Sequence, residues 1–542
     1  MDIVERHRGL FTRTALVSFL TLLSRLAGFV RESMTAALFG HASIVSDAFI
    51  TAWRIPNLFR ALMGEGAIVT GLQTELTRVD HAHGERAGRA FFHAMLRLVG
   101  KLSVVVCLVC MLVAWFSPDR MPGTGWAWLG ENPSAVREFT VRMLPFVVLV
   151  CLSAVVGGAL NVRGHFFAPN VAPVAMNLGW IAALFAVGAY FGAGRGAAEA
   201  DATARQMDMA RWLATYVLVA GVILLVVQLP ALSGAGLSGA SSPEERARSR
   251  RAAWGAVRSS LPLALGAAAF QVNALVAGLL ALALLPDGGS SLLYYASRLQ
   301  QLPLSLVAVA ATSAVFPALS ALGERRELDR LRELHERTHL AVAFVAVPAS
   351  LGLCLFAEPI LAVCFQHGEF GAAGVERAAW ALRALALAIF PAGAAGLVAR
   401  THYALGEVAT PVRVALFLVV VNAALSVGLV AGLGFDLVGL AWSTTLCAWL
   451  NLLLLLPGLG QRLGPTGGWG PLAARLARIA AAAGASTGLA WWTHRNLARE
   501  HGSAWPLFLC IFLAVGLYAG FSELLAIEEW RTLRRRLRKR AS

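Results

Sequence analysis

The sequence predicts an all-α polytopic membrane protein of about fourteen transmembrane helices. Two observations predict it. Hydrophobic residues make up 58 % of the 542-residue chain and charged residues 14 %, against the roughly 25 % charged that a water-facing globular surface carries. The apolar residues also come in runs long enough to cross a bilayer, which takes about 20 residues per helix.

Taken in order, apolar runs between polar loops predict helices over 11–39, 45–78, 91–117, 136–161, 170–193, 211–233, 254–285, 291–322, 338–357, 376–405, 410–432, 436–460, 471–493 and 504–528. The first two are unusually polar. Pro56 and the Gly64-Glu65-Gly66 run interrupt the second, and broken helices are tolerated at membrane depth where they line a cavity. The first apolar stretch is interrupted by Arg25 and Arg31 and has no small-residue cleavage site, so it is predicted to be a membrane helix and not a signal peptide.

The seven cysteines lie in or beside apolar runs. Cys107 and Cys110 form a CxxC inside VVVCLVCMLV, with no histidine or second pair nearby, and read as small apolar residues. No nucleophile–base pair, metal-ligand cluster or phosphate-binding glycine loop stands in a credible context, so neither an enzyme nor a cofactor is expected.

The basic stretches Arg246–Arg251, Arg325–Arg337 and Arg531–Arg540 fall on one side if both termini are cytoplasmic, as the positive-inside rule requires. The net charge of +15 is then a topology signal, with attraction of the basic loops and tail to anionic phospholipids. No folded domain accompanies the tail, so nucleic acid is not an expected partner.

A faint repeat lays DAFITAWRIP (Asp47–Pro56) over YYASRLQQLP (Tyr294–Pro303), placing Pro56 on Pro303 and Thr51 on Arg298. It predicts a six-helix bundle over 1–233, a second over 254–460, two further helices over 471–528 and a basic cytoplasmic tail over 529–542, an organisation that suits a transporter built on structural repeats.

Ionisable residues near the bilayer centre cost about 2.5–3.5 kcal/mol each on insertion scales, so each needs a reason. They concentrate in two places. One holds Arg25, Arg31, Glu32, Asp47, Arg54, Arg60 and Glu65; the other holds Arg298. On a continuous helix Asp47, Arg54 and Glu65 share one stripe and Arg60 points away from it. Two readings stay open: ion pairs that lock helices, such as Arg54 with Asp47, or a central cavity lined by arginines from both halves. The nearby acids are too few to neutralise Arg31, Arg60 and Arg298, and guanidinium groups in a membrane cavity suit a phosphate or diphosphate. A cation exporter would show buried carboxylates in excess instead.

These residues also carry a resemblance. SRLAGFVRES, LFG, SDAFITAWRIPNLFRALMGEGA, GGALNVRGHFFAPNVAPVAMN (Gly157–Asn177), YYASRLQQLP, FQHGEF and ATPVRV, in this order, resemble the MurJ (MviN) family of lipid II flippases. The match is dense in the first 80 residues and around Arg298, and thin in the last two helices. The resemblance implies a fold similar to MATE-like exporters: two six-helix bundles forming a V, with two extra helices. It implies movement of the undecaprenyl-diphosphate-linked peptidoglycan precursor, lipid II, to the periplasmic leaflet of the bacterial inner membrane by alternating access. By motif, Arg25, Arg31, Arg60 and Arg298 match arginines expected to engage the diphosphate. Asp47 matches an acid near the periplasmic gate, Glu65 a gate or kink position, and the polyprenyl tail would lie on helices 471–493 and 504–528.

Two positions depart from the family pattern, which often has acids where this chain has Ser297 and Gln301. The usual FxYGxF is FQHGEF here, with His367 and Glu369 in a predicted periplasmic loop. These departures bear on ion coupling, for which membrane potential, protons and sodium all stay open. Asn273, Asn422, Thr444 and Thr445 read as packing hydrogen bonds more readily than as sodium ligands, and His165 and His402, at helix ends, as interfacial. Other polyprenyl-diphosphate glycans, a MATE-like antiporter and a scaffold that recruits cell-wall synthesis proteins are the competing functions.

Overall fold

The structure is a computed structural model that describes residues 3–40, 43–64, 67–119, 132–192, 199–239, 242–312, 315–463, 469–501 and 504–541. Two compact units divide the chain: one runs through Ser291 and takes in His367–Phe370, and the other holds Leu292–Gln366 and everything from Gly371.

In the first unit α1 (Ile3–Phe39) and α2 (Ile44–Gly64) precede α3 (Ala67–Phe116), which bends at Gly84 (φ 79°, ψ 170°). Then come α4 (Pro133–Met143), α5 (Phe146–Val162), α6 (Phe167–Phe191), α7 (Glu199–Val226), α8 (Leu229–Gly234) and α9 (Pro243–Leu284). Local sequence sets several of these starts. Asn132 caps α4 by accepting the Ala135 N–H at 3.1 Å, with Pro133 in the first turn, where its missing N–H costs nothing. Ser242 and Glu245 form a reciprocal capping box ahead of the long polar start of α9. The α3 helix packs on α5 and α9, and α6 on α1 and α7, around buried Leu72, Leu76, Phe91, Phe92, Phe139 and Phe146.

The second unit begins within α10 (Gly289–Thr312), whose first turn belongs to the first unit. It continues through α11 (Phe316–Glu324), α12 (Leu328–Leu355), α13 (Ala357–Phe365), α14 (Ala372–Ala386), α15 (Ile389–Ala404) and α16 (Ala409–Val427). A π-helical turn, Gly428–Gly432, follows. The unit ends with α17 (Leu437–Leu463), α18 (Trp469–His501), α19 (Trp505–Leu524) and α20 (Glu528–Ala541). One apolar core joins α11, α12, α15 and α17 through Leu319, Leu331, Leu397 and Leu455. Another joins α12 to α18 through Leu340, Ala343, Ile479 and Ala482, with Ile527 beside them.

This is a multi-pass membrane protein. Among the described residues nine helices or helix pairs are long and apolar enough to cross a bilayer. Their outward faces are apolar too: the most hydrophobic windows of α3, α16 and α19 are only 17 % buried by protein, and Val105, Leu112, Val420 and Phe512 stand exposed. A helix that is apolar all round and packed on one side has lipid on the other.

The structure redraws some predicted boundaries. Within the stretch predicted over 45–78, the described residues form α2, to Gly64, and the start of α3, from Ala67. Inside the predicted polar loop two helical stretches meet at Gly84, whose backbone is not helical, and the second runs on to Phe116. Hydropathy marks where water begins, and residues such as Glu85, Arg86 and Ala87 continue a helix in water as well as in lipid. The predicted helix over 136–161 bends at Pro145, and that over 376–405 breaks between Ala386 and Ile389, where Pro391 can give no N–H to the Leu387 carbonyl.

Candidate functional site

Asp47 and Arg54 of α2 dock on α9 and the α9–α10 turn. Asp47 is buried, 5 % exposed, and its carboxylate accepts the N–H groups of Gly288 at 2.8 Å and Ser291 at 2.7 Å. It thereby caps α10, where unpaired N–H groups and the helix dipole both favour an anion. Two turns further along α2, Arg54 donates to the Ser290 carbonyl and to the Ala274 carbonyl of α9, each at 3.1 Å. Gly278 makes room for it: a Cβ there would lie 2.6 Å from the guanidinium carbon. Thr51, between them, meets the Ser290 hydroxyl at 3.1 Å. Asp47 and Arg54 thus share the predicted stripe, and each is directed to backbone groups. Glu65, the third predicted member, lies outside the described residues.

The α1 arginines differ in setting. Arg25 is exposed. Arg31 is buried and paired: Nη2 donates to Glu32 Oε1 at 2.6 Å and Nη1 to Asn177 Oδ1 at 3.1 Å, and its guanidinium carbon stacks 4.7 Å above the Trp180 ring. On α2, Arg60 is half-buried and donates through Nε to Asn57 at 3.0 Å.

Arg298 of α10 lies over the Tyr294 ring at 4.7 Å and donates to the Tyr294 hydroxyl at 2.7 Å and the Gln301 amide oxygen at 3.2 Å. Ser297 turns back to the Tyr294 carbonyl at 2.7 Å. Tyr294 and Gln301 are neutral groups, so they orient the guanidinium without cancelling its charge.

Residues that charge counting did not single out complete these settings: Asn177 and Trp180 on α6, Ser290 and Ser291 at the head of α10, and Tyr294. Asn177, an amide deep in an apolar span, is a signal that the sequence carries. Asn422 and Thr445 make hydrogen bonds between packed helices: Asn422 Oδ1 accepts from Ser443 of α17 at 3.0 Å, and from Ser426 on its own helix at 3.2 Å, and Thr445 donates to the Ala384 carbonyl at 2.7 Å. His402 is 1 % exposed and donates through Nε2 to the Leu455 carbonyl at 3.1 Å. It is therefore a core histidine and not an interfacial one, because α15 ends against α17.

Away from these residues, the loop segment His367–Phe370 meets the end of α1 main chain to main chain. Glu369 donates its N–H to the Ala37 carbonyl at 2.9 Å. Gly40 (φ +76°) and Gly368 (φ +58°) allow the approach, since a Cβ on Gly40 would lie 2.9 Å from the Glu369 carbonyl oxygen and one on Gly368 would overlap that of Ala37.

Comparison with known proteins agrees with this architecture. A family model described as lipid II flippase MurJ matches residues 35–510. The probable lipid II flippase MurJ of Bdellovibrio bacteriovorus is 30 % identical, over 95 % of this chain and 94 % of its own. That of Rhizobium meliloti is 30 % identical over 94 % and 92 %, and the lipid II flippase MurJ of Burkholderia cenocepacia 29 % over 94 % and 96 %. Among solved structures, a lipid II flippase MurJ in an inward closed conformation has a TM-score of 0.70 at 17 % identity, covering 96 % of this chain and 99 % of that one. An inward-facing MATE family transporter of the MOP superfamily has a TM-score of 0.65 at 15 % identity, covering 81 % and 94 %. The fold is therefore that of MurJ and MATE transporters, and on the span of the family match the chain belongs to the lipid II flippase MurJ family.

Proposed function

We propose that this protein flips lipid II from the cytoplasmic to the periplasmic leaflet of the bacterial inner membrane by alternating access, without chemical change to the lipid. The observation that carries this reading is family membership over residues 35–510, and the site chemistry supports it. Arg25, Arg31, Arg60 and Arg298 engage the diphosphate, whose planar bidentate pairing guanidinium groups match better than ammonium groups. Asp47, Arg54, Glu32 and Glu65 act as gate or pairing residues.

The same reading takes the nine apolar spans together with the long, more polar helices α1, α2, α9, α10 and α18 as fourteen crossings. It keeps the division proposed from the sequence: bundles over 1–233 and 254–460, then 471–528 as the groove for the polyprenyl tail. Both termini are cytoplasmic, the basic loops and tail meet anionic phospholipids, and cell-wall synthesis proteins are candidate partners.

The test is depletion of the protein with lipid II followed by leaflet. Lipid II should accumulate and lose periplasmic exposure, and wild type but neither Arg31→Ala nor Arg298→Ala should restore it. Normal lipid II export with loss of a different surface glycan would reassign the substrate to another polyprenyl-diphosphate oligosaccharide. Full activity of Arg60→Lys would remove bidentate recognition from the mechanism.

A further inference from the structure

We infer that Asn177 and Trp180 of α6 are positioning residues for the diphosphate, acting through Arg31. The inference rests on the reading of Arg31 as a diphosphate ligand. A guanidinium that is to meet a diphosphate with two parallel hydrogen bonds must be fixed both in the tilt of its plane and in its rotation within that plane. Residues three apart on one face of α6 supply one constraint each. The Trp180 ring, 4.7 Å beneath the guanidinium carbon, sets the plane. The Asn177 carbonyl, 3.1 Å from Nη1, sets the rotation.

Both side chains are themselves held. The Asn177 amide nitrogen donates to the Ser24 carbonyl of α1 at 3.1 Å, which also fixes which end of the amide faces Arg31. Trp180 is packed edge-on by Trp53 at 5.0 Å and 75° and by Tyr216 at 6.5 Å and 71°. Neither Asn177 (5 % exposed) nor Trp180 (3 % exposed) is open to solvent. Among the described residues the buried Trp180 Nε1–H has no acceptor.

Charge explains why an amide stands here. Glu32 already offers one carboxylate to Arg31 at 2.6 Å. Asn177 offers an oxygen of similar geometry without a second negative charge, so an incoming diphosphate competes with one carboxylate and not with two. Among the described residues two of the five N–H donors of Arg31 are committed, one to each oxygen.

The experiment titrates a short-chain polyprenyl diphosphate into the purified full-length protein, with thermal melting as the check on folding. Asn177→Asp keeps the size and the acceptor toward Arg31, adds the second carboxylate and gives up the N–H to the Ser24 carbonyl; affinity should fall about tenfold or more with the protein still folded. Trp180→Phe keeps the ring face and should bind within about twofold of wild type, whereas Trp180→Leu removes it and should weaken binding by about fivefold or more. In flipping assays these losses should appear in KM with kcat largely kept, a split that general loosening of α6 does not produce.

Wild-type affinity in Asn177→Asp and in Trp180→Leu, alongside loss of binding in Arg31→Ala, would overturn the inference. Should Asn177→Asp fail to fold, the Phe and Leu pair at Trp180 decides it. If instead Arg31→Ala, Arg60→Ala and Arg298→Ala all bind like wild type, the diphosphate reading itself has failed, and that outcome is distinct from failure of α6 to position Arg31.

Discussion

At the scale of single residues, Arg31, Asp47, Arg54, Arg60 and Arg298 each have a specific partner. Asp47 illustrates the economy of this. One carboxylate satisfies two N–H groups at the start of α10, and such charge-assisted bonds are stronger than neutral ones. Asp47→Asn retains one acceptor but turns an amide N–H toward a backbone N–H. It should lower stability by about 1–3 kcal/mol, read as a fall in melting temperature in detergent that Asp47→Glu restores only in part. Counting charges located Asp47, Arg54, Arg31 and Arg298 but could not say what each would touch, because the partners are mostly backbone atoms and neutral side chains. Whether Arg54 would meet Asp47 depended on the α9–α10 turn, which lies more than 200 residues away in the chain and leaves no local trace in sequence.

At the scale of elements, hydropathy found most helices and misjudged where they end. The apolar runs of α5, α6, α16 and α19 were legible because bilayer thickness fixes their length. The helical course of the residues on either side of Gly84, within the predicted polar loop over 79–90, was not, since a polar helix and a polar loop have the same hydropathy. Ion pairs at element ends then tie neighbours together. Arg377 of α14 makes a bidentate pair with Asp436, just before α17, at 2.6 and 2.7 Å. The Arg377 hydrogen bonds hold the Asp436 carboxyl below its usual range. Because the folded pKa is depressed, the pair stabilises the protein above the unfolded value near 3.9, and that contribution is lost as pH falls through the folded value. Both groups are partly exposed, so Arg377→Gln should cost no more than about 1 kcal/mol at pH 7. The gap in melting temperature between Arg377→Gln and wild type should be present at pH 7 and narrow as the pH is lowered below about 4.

At the scale of the whole molecule, the fold class, the family and the multi-pass character all followed from composition and ordered motifs, since a lipid solvent leaves few alternatives to a helical bundle. The last element shows what composition alone left out. The α20 helix is held at its start by Arg475, which pairs with Glu528 at 2.8 Å and Glu529 at 2.7 Å, while Arg534 pairs with Glu523 at 2.7 Å. Arg531, Arg535 and Arg538 remain exposed, four and three residues apart and so on one face. The basic tail is thus an ordered helix presenting a guanidinium stripe. Replacing these three arginines with glutamine should weaken association with vesicles rich in anionic phospholipid by about 1 kcal/mol per residue, and the difference should shrink with salt. Equal binding by the triple variant and wild type would remove the tail from the list of lipid contacts.

The meeting of His367–Phe370 with the end of α1 has a consequence for how much sequence change the protein can absorb. Its hydrogen bond joins two main chains, so the side chains of Ala37 and Glu369 are bystanders to it. The information that specifies this contact resides instead in two missing Cβ atoms. Saturation mutagenesis read by cell survival should find positions 37 and 369 permissive and positions 40 and 368 closed to nearly every residue. Alanine at either glycine should cost roughly 1–2 kcal/mol from the left-handed backbone alone. A feature that carries no chemistry of its own would then stand among the least mutable points of the chain.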